Sequence, residues 1–227
     1  MLYLLAPFAY IGTIFGDNES IIKIPLLLAD LAILFFLVKI FPHKKQKLIL
    51  FYFLNPIIIY SIYIHSQLDI IPTALLFGSV YFLLLDKIKI SSIFFGLALS
   101  TKFHVIIALP LVLFYLYKKQ KSIKVVEYIA ISFFILLLLD LPFLFSEGFL
   151  NMVLLNPKQT LLFDTFYSIG TLKILLPIAA ILMVYLHFFN QNKVNQDLLF
   201  FYFGLLFTAT VFFIYPAPAW YVWMIPF

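Results

Sequence analysis

Four polar residues stand close together between the two apolar stretches of NPIIIYSIYIHSQLDIIPTALLF, residues 55–77. They are His65, Ser66, Gln67 and Asp69. Carboxylate and imidazole groups are the usual proton carriers in catalysis, so this group could accept a proton, bind an acceptor hydroxyl or hold a cation. The simpler interpretation, which the composition favours, is that loops between membrane spans are polar and that Asp69 caps the helix that follows it.

A second polar pair, Lys102 and His104, interrupts the apolar run of residues 91–117. A lysine ammonium can pair with a phosphate as a compact point charge. Alternatively, Lys102 extends to the membrane surface or neutralises an internal carboxylate such as Asp30 or Asp140. The sequence supports both interpretations equally.

Asp30 and Asp140 themselves lie inside apolar segments. Carboxylates within a membrane are functional candidates by default, and an ion-coupled transporter would require them. A role in helix packing is an equal alternative for each. The sequence contains no metal-ligand cluster, glycine-rich phosphate loop or nucleophile elbow.

The composition indicates which kind of protein must hold these residues. The 227-residue chain is 65% hydrophobic and 11% charged, with a mean hydropathy of +1.11. This is more apolar surface than a soluble core of that size can bury, so the chain belongs in a bilayer. Its 15 basic residues are all lysines in short tracts between apolar segments, a pattern that reports membrane topology rather than nucleic-acid binding.

We predict an all-α fold, a polytopic transmembrane helix bundle with a re-entrant-like helical hairpin, in a single domain of residues 1–227. A crossing needs about 20 apolar residues. Lysine-rich connections favour the cytoplasmic side, so the junction that carries Asp69 is expected to face outward. The predicted spans are 21–41, 48–64, 70–86, 125–145, 171–189 and 198–214, with the hairpin at 91–117.

The hairpin is predicted because lysines flank both ends of its apolar run. A single crossing would leave Lys102 near the bilayer centre, where a charge costs at least about 2.5 kcal/mol. Two short helices that turn at residues 100–104 avoid this cost. Non-helical backbone at that depth is tolerated only against protein or a wet cavity, so Lys102 is expected to face one.

Both termini are predicted to be truncated. Residues 2–15 are too short to cross a bilayer and are expected to lie along the outer surface. The final residues, PAPAWYVWMIPF, start a new apolar run in which Trp220, Tyr221 and Trp223 form an interfacial aromatic belt. We expect at least one further helix beyond each end.

Two motifs, NPIIIYSIYIHSQLDIIPTALLF and SSIFFGLALSTKFHVIIALPLVLFYL, together resemble a known family. The multispanning GT-C glycosyltransferases, particularly the mannosyltransferases of GPI-anchor assembly, have N-P, then an H/W-G-Q-x-D-like junction, then G-L-A-x-x-x-K and a proline-led apolar run. IKIPLLLADLAILFFL and WYVWMIPF are also similar, so the resemblance covers most of the chain. Ser66 stands where the family usually has glycine.

The resemblance implies an enzyme, a hexosyltransferase that takes its sugar from a polyprenyl- or dolichyl-phosphate donor. Transfer to a hydroxyl of a glycan, lipid or protein acceptor would occur at the outer or lumenal face with inversion. A carboxylate on the first outer loop would act as the base; its counterpart is expected upstream of Met1, and Asp17 and Glu19 are weaker candidates. No cofactor is certain, and a divalent cation is compatible with this chemistry. The predicted substrate-binding residues are His65, Gln67, Asp69, Lys102 and His104.

Two other functional classes stay open. A lipid-linked-sugar flippase or ion-coupled transporter would depend on Asp30 and Asp140, whereas a non-catalytic membrane scaffold would tolerate changes at all these residues. The concentration of polar residues at outer junctions favours the transferase. In each case we expect a multi-pass protein surrounded by membrane lipids, without nucleic acid, in a prokaryotic plasma membrane rather than the endoplasmic reticulum, with its lysine-rich loops in the cytoplasm.

Overall fold

Helices make up 80% of the structure, a computed structural model that describes residues 2–119, 121–214 and 218–227. The predicted all-α membrane bundle is therefore confirmed. The α-helices are α1 (Leu2–Phe15), α2 (Asn18–Ile40), α3 (Lys45–Leu48), α4 (Pro56–Ile59), α5 (Ile70–Leu84), α6 (Ile88–Thr101), α7 (Leu109–Lys118), α8 (Ser122–Asp140), α9 (Glu147–Phe149), α10 (Leu161–Asp164), α11 (Leu176–Phe189) and α12 (Gln196–Phe213).

Three helices in the described residues are long and apolar enough to cross a membrane: α2, α8 with its 3-10 extension to Phe143, and α12. A fourth crossing is possible if the segments Pro42–Phe53 and Pro56–Ile64 form one bent span. These two segments meet at an angle of 54°. The bend follows from Asn55, whose side-chain oxygen accepts the Ile57 N–H at 2.9 Å and starts a new helix at Pro56.

The predicted span 171–189 needs correction at its start. Residues Leu172–Leu175 form strand β2, which pairs antiparallel with β1 (Phe166–Ile169), and helix α11 begins only at Leu176. The hairpin turn depends on Gly170, whose φ of 61° is readily adopted by glycine. Apolar residues that alternate along a short strand and those of a helix cannot be separated by hydropathy alone.

The predicted span 70–86 is likewise shorter in the structure. Helix α5 ends at Leu84, and Asp86 adopts a φ of 63°, which is incompatible with continued right-handed helix. At about 1.5 Å per residue, α5 is shorter than the hydrocarbon thickness of a bilayer.

The segment predicted as a hairpin consists of α6, the 3-10 turn Phe103–Ala108 and α7. The break lies at Lys102, which has extended dihedral angles (φ −160°, ψ 124°). The hydroxyl of Thr101 donates to the carbonyl of Ala98 at 2.6 Å and so occupies one of the last acceptors of α6. The lysine backbone is thus the point at which helical hydrogen bonding stops and restarts.

Helix α6 packs very closely against α8. A Cβ atom placed on Gly96 would lie 2.6 Å from the carbonyl oxygen of Ser132, so only glycine fits there. One turn away, the hydroxyl of Ser132 donates to the carbonyl of Ser92 at 3.1 Å. Small residues and serine hydroxyls are typical of helix contacts inside membranes.

The exterior of the bundle, where it is not covered by other helices, is apolar. Phe145 is 91% exposed and Phe212 is 77% exposed, and both are members of a large set of exposed hydrophobic side chains. A water-soluble monomer rarely exposes such a surface, whereas a bilayer stabilises it. The chain is an integral membrane protein.

Candidate functional site

Asp69 lies directly before α5, yet its side chain makes no capping hydrogen bond to that helix. Its carboxylate instead forms a salt bridge with the ammonium of Lys102, and its other oxygen accepts a hydrogen bond from Gln67 Nε2 at 2.6 Å. The capping interpretation of Asp69 is therefore wrong for its side chain. The structure brings together three of the predicted site residues, Gln67, Asp69 and Lys102.

The two charged partners differ in accessibility. The Asp69 side chain is 3% exposed, whereas the Lys102 side chain is 39% exposed. A buried carboxylate is stable only when it is paired and hydrogen-bonded, and both conditions are met here. An ammonium has three N–H donors, so Lys102 can hold Asp69 and still bind an anion from its exposed side. The partner of Lys102 is Asp69, rather than Asp30 or Asp140.

The turn that presents Asp69 depends on Ser66. Its φ of 54° lies in the left-handed region, which glycine enters without steric cost. The next residue, Gln67, donates its backbone N–H to the carbonyl of Ser61 at 2.8 Å and closes the turn. Serine therefore occupies a position that glycine would suit better.

His104 lies beside this cluster, in the 3-10 turn after Lys102. Its ring stacks on Trp223, with ring centroids 3.9 Å apart and an interplanar angle of 11°. The ammonium of Lys102 stands 5.5 Å from the centroid of the same tryptophan ring. Trp223 is only 5% exposed, so it does not belong to the predicted interfacial belt. The sequence offered no signal for this contact.

His65 has a different environment. It is exposed, and its ring stacks in parallel on Tyr60 at a centroid distance of 6.0 Å. The structure therefore assigns it a tyrosine neighbour at the edge of the junction, while Gln67 provides the polar contact to Asp69.

Asp17 and Glu19, the weaker candidates for a catalytic base, lie at the start of α2. The Asp17 carboxylate accepts the backbone N–H of Ser20 at 3.0 Å, and this hydrogen bond lowers the pKa of Asp17 below its usual value. Glu19 pairs with Lys23 at 3.0 Å. Both carboxylates are exposed.

The direction of α2 relates these residues to the site. Asp30 in the middle of α2 contacts Tyr63 near the Asp69 junction, whereas Phe36 packs on Tyr81 near the far end of α5. Helices α2 and α5 therefore run in the same direction. Asp17 consequently lies on the same side of the bundle as Asp69.

A second buried carboxylate has a separate set of partners. Asp30 is fully buried and accepts hydrogen bonds from the hydroxyls of Tyr52 at 2.6 Å and Tyr63 at 2.7 Å. Both tyrosines lie in π-helical turns of the bent segment, Ile49–Phe53 and Tyr60–Ile64. Sequence periodicity could not identify these tyrosines as partners of Asp30, because π-helical turns do not follow the α-helical period and the two turns lie on either side of the bend.

Nowhere in the described ranges do three or more His, Asp or Glu side chains come together as a group that could hold a metal ion. In the described residues, the polar contacts at the Asp69 junction are those among Asp69, Lys102 and Gln67, and Lys102 also contacts the ring of Trp223.

Comparison with known proteins gives one family. The sequence model of the ALG3 protein family matches residues 20–155, which is more than half of the chain. The matched range contains Gln67, Asp69 and Lys102 and ends before Trp223. The match is to this family rather than to the mannosyltransferases of GPI-anchor assembly. No curated protein and no solved structure matches the chain significantly.

Proposed function

The chain belongs to the ALG3 protein family, and from this premise we propose that it transfers mannose from a dolichyl- or polyprenyl-phosphate donor to a glycan. The family comprises membrane glycosyltransferases of the GT-C type that depend on dolichyl-phosphate-mannose. The proposal adds three details for this chain: the donor lipid, a glycan hydroxyl as the acceptor, and inversion at the sugar carbon.

One observation carries the proposal, the ammonium of Lys102 at the break between α6 and the following 3-10 turn. A polyprenyl donor stays in the bilayer while its phosphate and sugar must reach water. A fixed cation at a helix break on the outer side suits such a phosphate, because it compensates the negative charge that develops on the leaving group. Asp69 contributes by fixing the position of this cation.

The proposed reaction is a single displacement. The acceptor hydroxyl oxygen forms a bond to the anomeric carbon from the face opposite the phosphate, and the bond between that carbon and the phosphate oxygen breaks. The electron pair leaves with the polyprenyl phosphate, next to Lys102. The hydroxyl proton goes to a carboxylate base. Asp17 and Glu19 are the candidates for this base in the sequence, since they lie on the same side as Asp69.

The remaining predicted residues have lesser proposed roles. Gln67 is partly exposed and has a side-chain carbonyl oxygen, so it is the proposed contact for a hydroxyl of the sugar or acceptor. His104 supports the tryptophan next to Lys102. His65, exposed at the edge of the junction, is a proposed outer contact for the glycan.

The test is transfer of radiolabelled mannose from polyprenyl-phosphate-mannose to a glycan acceptor in membranes that contain the complete protein. Lys102→Glu should reduce transfer by at least about 100-fold, because a developing negative charge loses its cation and meets a carboxylate. The matched control is Lys89→Glu, at the opposite end of α6, where the lysine is exposed and pairs with Glu127 at 3.8 Å.

Two results would contradict the proposal. Unchanged transfer by Lys102→Glu would remove Lys102 from the donor site. Absence of mannose transfer by the unmodified protein, with transfer from a glucose-charged polyprenyl phosphate instead, would overturn the assignment of mannose. Equal amounts of each variant in the membrane, measured by immunoblot, make these comparisons valid.

A further inference from the structure

A segment outside the range matched by the family reaches the proposed donor site. The 3-10 turn Pro218–Trp223 ends with its last side chain against the break at Lys102. Trp223 is almost completely buried there, in contact with both Lys102 and His104. A tryptophan at this distance from an ammonium attracts it through the negative face of the ring.

We propose that Trp223 is a positioning residue for Lys102, so that one residue of the C-terminal segment helps to form the binding site for the lipid phosphate. The proposal rests on the proposed function, because it takes the ligand of Lys102 to be the phosphate of the donor. Trp223 acts through the lysine and takes no part in the bond changes.

The physical need for such a residue follows from the side chain of lysine. Its four-carbon stem is flexible, and one salt bridge fixes only one direction of the ammonium. Asp69 attracts Lys102 from the junction between α4 and α5, and Trp223 attracts it from the C-terminal segment. Two attractions from separate segments restrict the ammonium to one place and leave its exposed side open to an anion.

The aromatic stack makes the position of Trp223 well defined. The ring of His104 lies parallel to it, and Trp220 packs on it with an interplanar angle of 12° at 5.2 Å. Both His104 Nδ1 and Trp223 Nε1 are buried without a hydrogen-bond partner among the described atoms. Unpaired buried polar atoms beside a cation are unusual and are expected where a ligand or ordered water completes a site.

The experiment uses the fact that the sequence has only two tryptophans, Trp220 and Trp223, both in this segment. Intrinsic fluorescence of the complete protein in nanodiscs therefore reports on the proposed site. The probe is polyprenyl phosphate, which lacks the sugar and cannot react; the control ligand is polyprenol of the same chain length. We expect a saturable change in emission with polyprenyl phosphate and none with polyprenol.

Variants then separate the two tryptophans. Trp220→Phe should keep the phosphate-dependent change, because Trp223 is still present, whereas Trp223→Phe should lose most of it. A change that persists in Trp223→Phe and disappears in Trp220→Phe would overturn the assignment to Trp223.

Kinetics test the positioning role. Trp223→Leu should lower kcat/KM for the mannosyl donor by about five-fold to thirty-fold, the range expected for loss of a cation–π contact, because a displaced ammonium compensates less of the charge that develops on the leaving phosphate. Trp223→Tyr keeps an aromatic face, so its kcat/KM should lie between that of the unmodified protein and that of Trp223→Leu. Tyr221→Leu, in the same 3-10 turn, is the matched control. An unchanged kcat/KM in Trp223→Leu, or a Trp223→Tyr variant as impaired as Trp223→Leu, contradicts the proposal.

The two kinds of failure are distinguishable. Phosphate-dependent fluorescence without mannose transfer would overturn the proposed function and retain the phosphate site. Mannose transfer with no response of Trp223 to polyprenyl phosphate would retain the function and overturn the role of Trp223. If Trp223→Leu does not fold, as judged by circular dichroism, the comparison of Trp223→Tyr with the unmodified protein decides.

Discussion

Two aspartates are buried in the part of the chain that the structure describes, and their partners differ in kind. Asp30 is enclosed by the hydroxyls of two tyrosines, whereas Asp69 is paired with an ammonium and an amide. Both satisfy the rule that a buried carboxylate must be hydrogen-bonded. They differ in the exposure of the partner side chain, since Tyr52 is buried in the core while Lys102 is partly exposed.

This difference separates a structural role for Asp30 from a ligand-binding role for the pair of Asp69 and Lys102. The Asp30 group joins α2 to both halves of the bent segment, so its hydrogen bonds hold three pieces of the bundle together. The Asp69 pair joins two chain segments as well, but its cation has donors left for a ligand. We infer that a buried acid in this protein is functional when its partner is a partly exposed cation, and structural when its partners are neutral.

The largest expected effect comes from neutralising each carboxylate in turn. Asp69→Asn should lower mannose transfer by about 100-fold, because Lys102 loses the charge that positions it. Asp30→Asn should leave transfer per folded molecule nearly unchanged and instead destabilise the protein by about 1–3 kcal/mol. Transfer assays and thermal unfolding in detergent measure the two quantities separately. An ion-coupled transport activity that is abolished by Asp30→Asn and kept by Asp69→Asn would instead favour a transporter.

A smaller effect is expected from the tyrosines around Asp30. Tyr52→Phe removes a donor from a fully buried site and should lower the free energy of unfolding by about 1–2 kcal/mol. Tyr63→Phe should cost less, since the Tyr63 side chain is exposed whereas that of Tyr52 is buried. The melting temperatures of the two variants, measured together, check this order. If both variants lost activity without any loss of stability, the structural role of the hydrogen bonds to Asp30 would be contradicted.

The smallest effect is expected at the turn before Asp69. Ser66→Gly should raise the free energy of unfolding by up to about 1 kcal/mol, because glycine adopts the φ of 54° without strain. The matched control is Ser61→Gly, inside a helical turn, where glycine should destabilise. If Ser66→Gly stabilises the protein but lowers transfer, the reaction requires the rigidity that serine gives the turn. If Ser66→Gly destabilises the protein, the φ of Ser66 is not a source of strain.

The sequence was informative about the membrane and about the longest helices. Long apolar segments identify α2, α8 and α12, because hydropathy summed over a span outweighs local detail. It could not predict the strands at residues 166–175, which depend on the turn at Gly170, or the bend at Asn55. Both are decided by single residues within apolar runs.

The candidate site was predictable in part for the same reason. Asp69 and Lys102 were each singled out by polarity in an apolar setting, but 33 positions separate them, and the pairing depends on how α5 and α6 pack. The role of Trp223 could not be predicted at all. Its apolar, aromatic surroundings in the sequence are those of an interfacial belt, and only tertiary packing turns it toward Lys102.

The close contact at Gly96 affects the depth of the Lys102 ammonium in the membrane. Lys102 follows Gly96 by about 9 Å along the helix axis. Because α6 meets α8 with no room for a side chain at Gly96, the ammonium is fixed relative to a helix long enough to cross the bilayer. The depth at which a lipid-borne phosphate would be met is thus set by a residue that touches neither the charge nor the lipid headgroup.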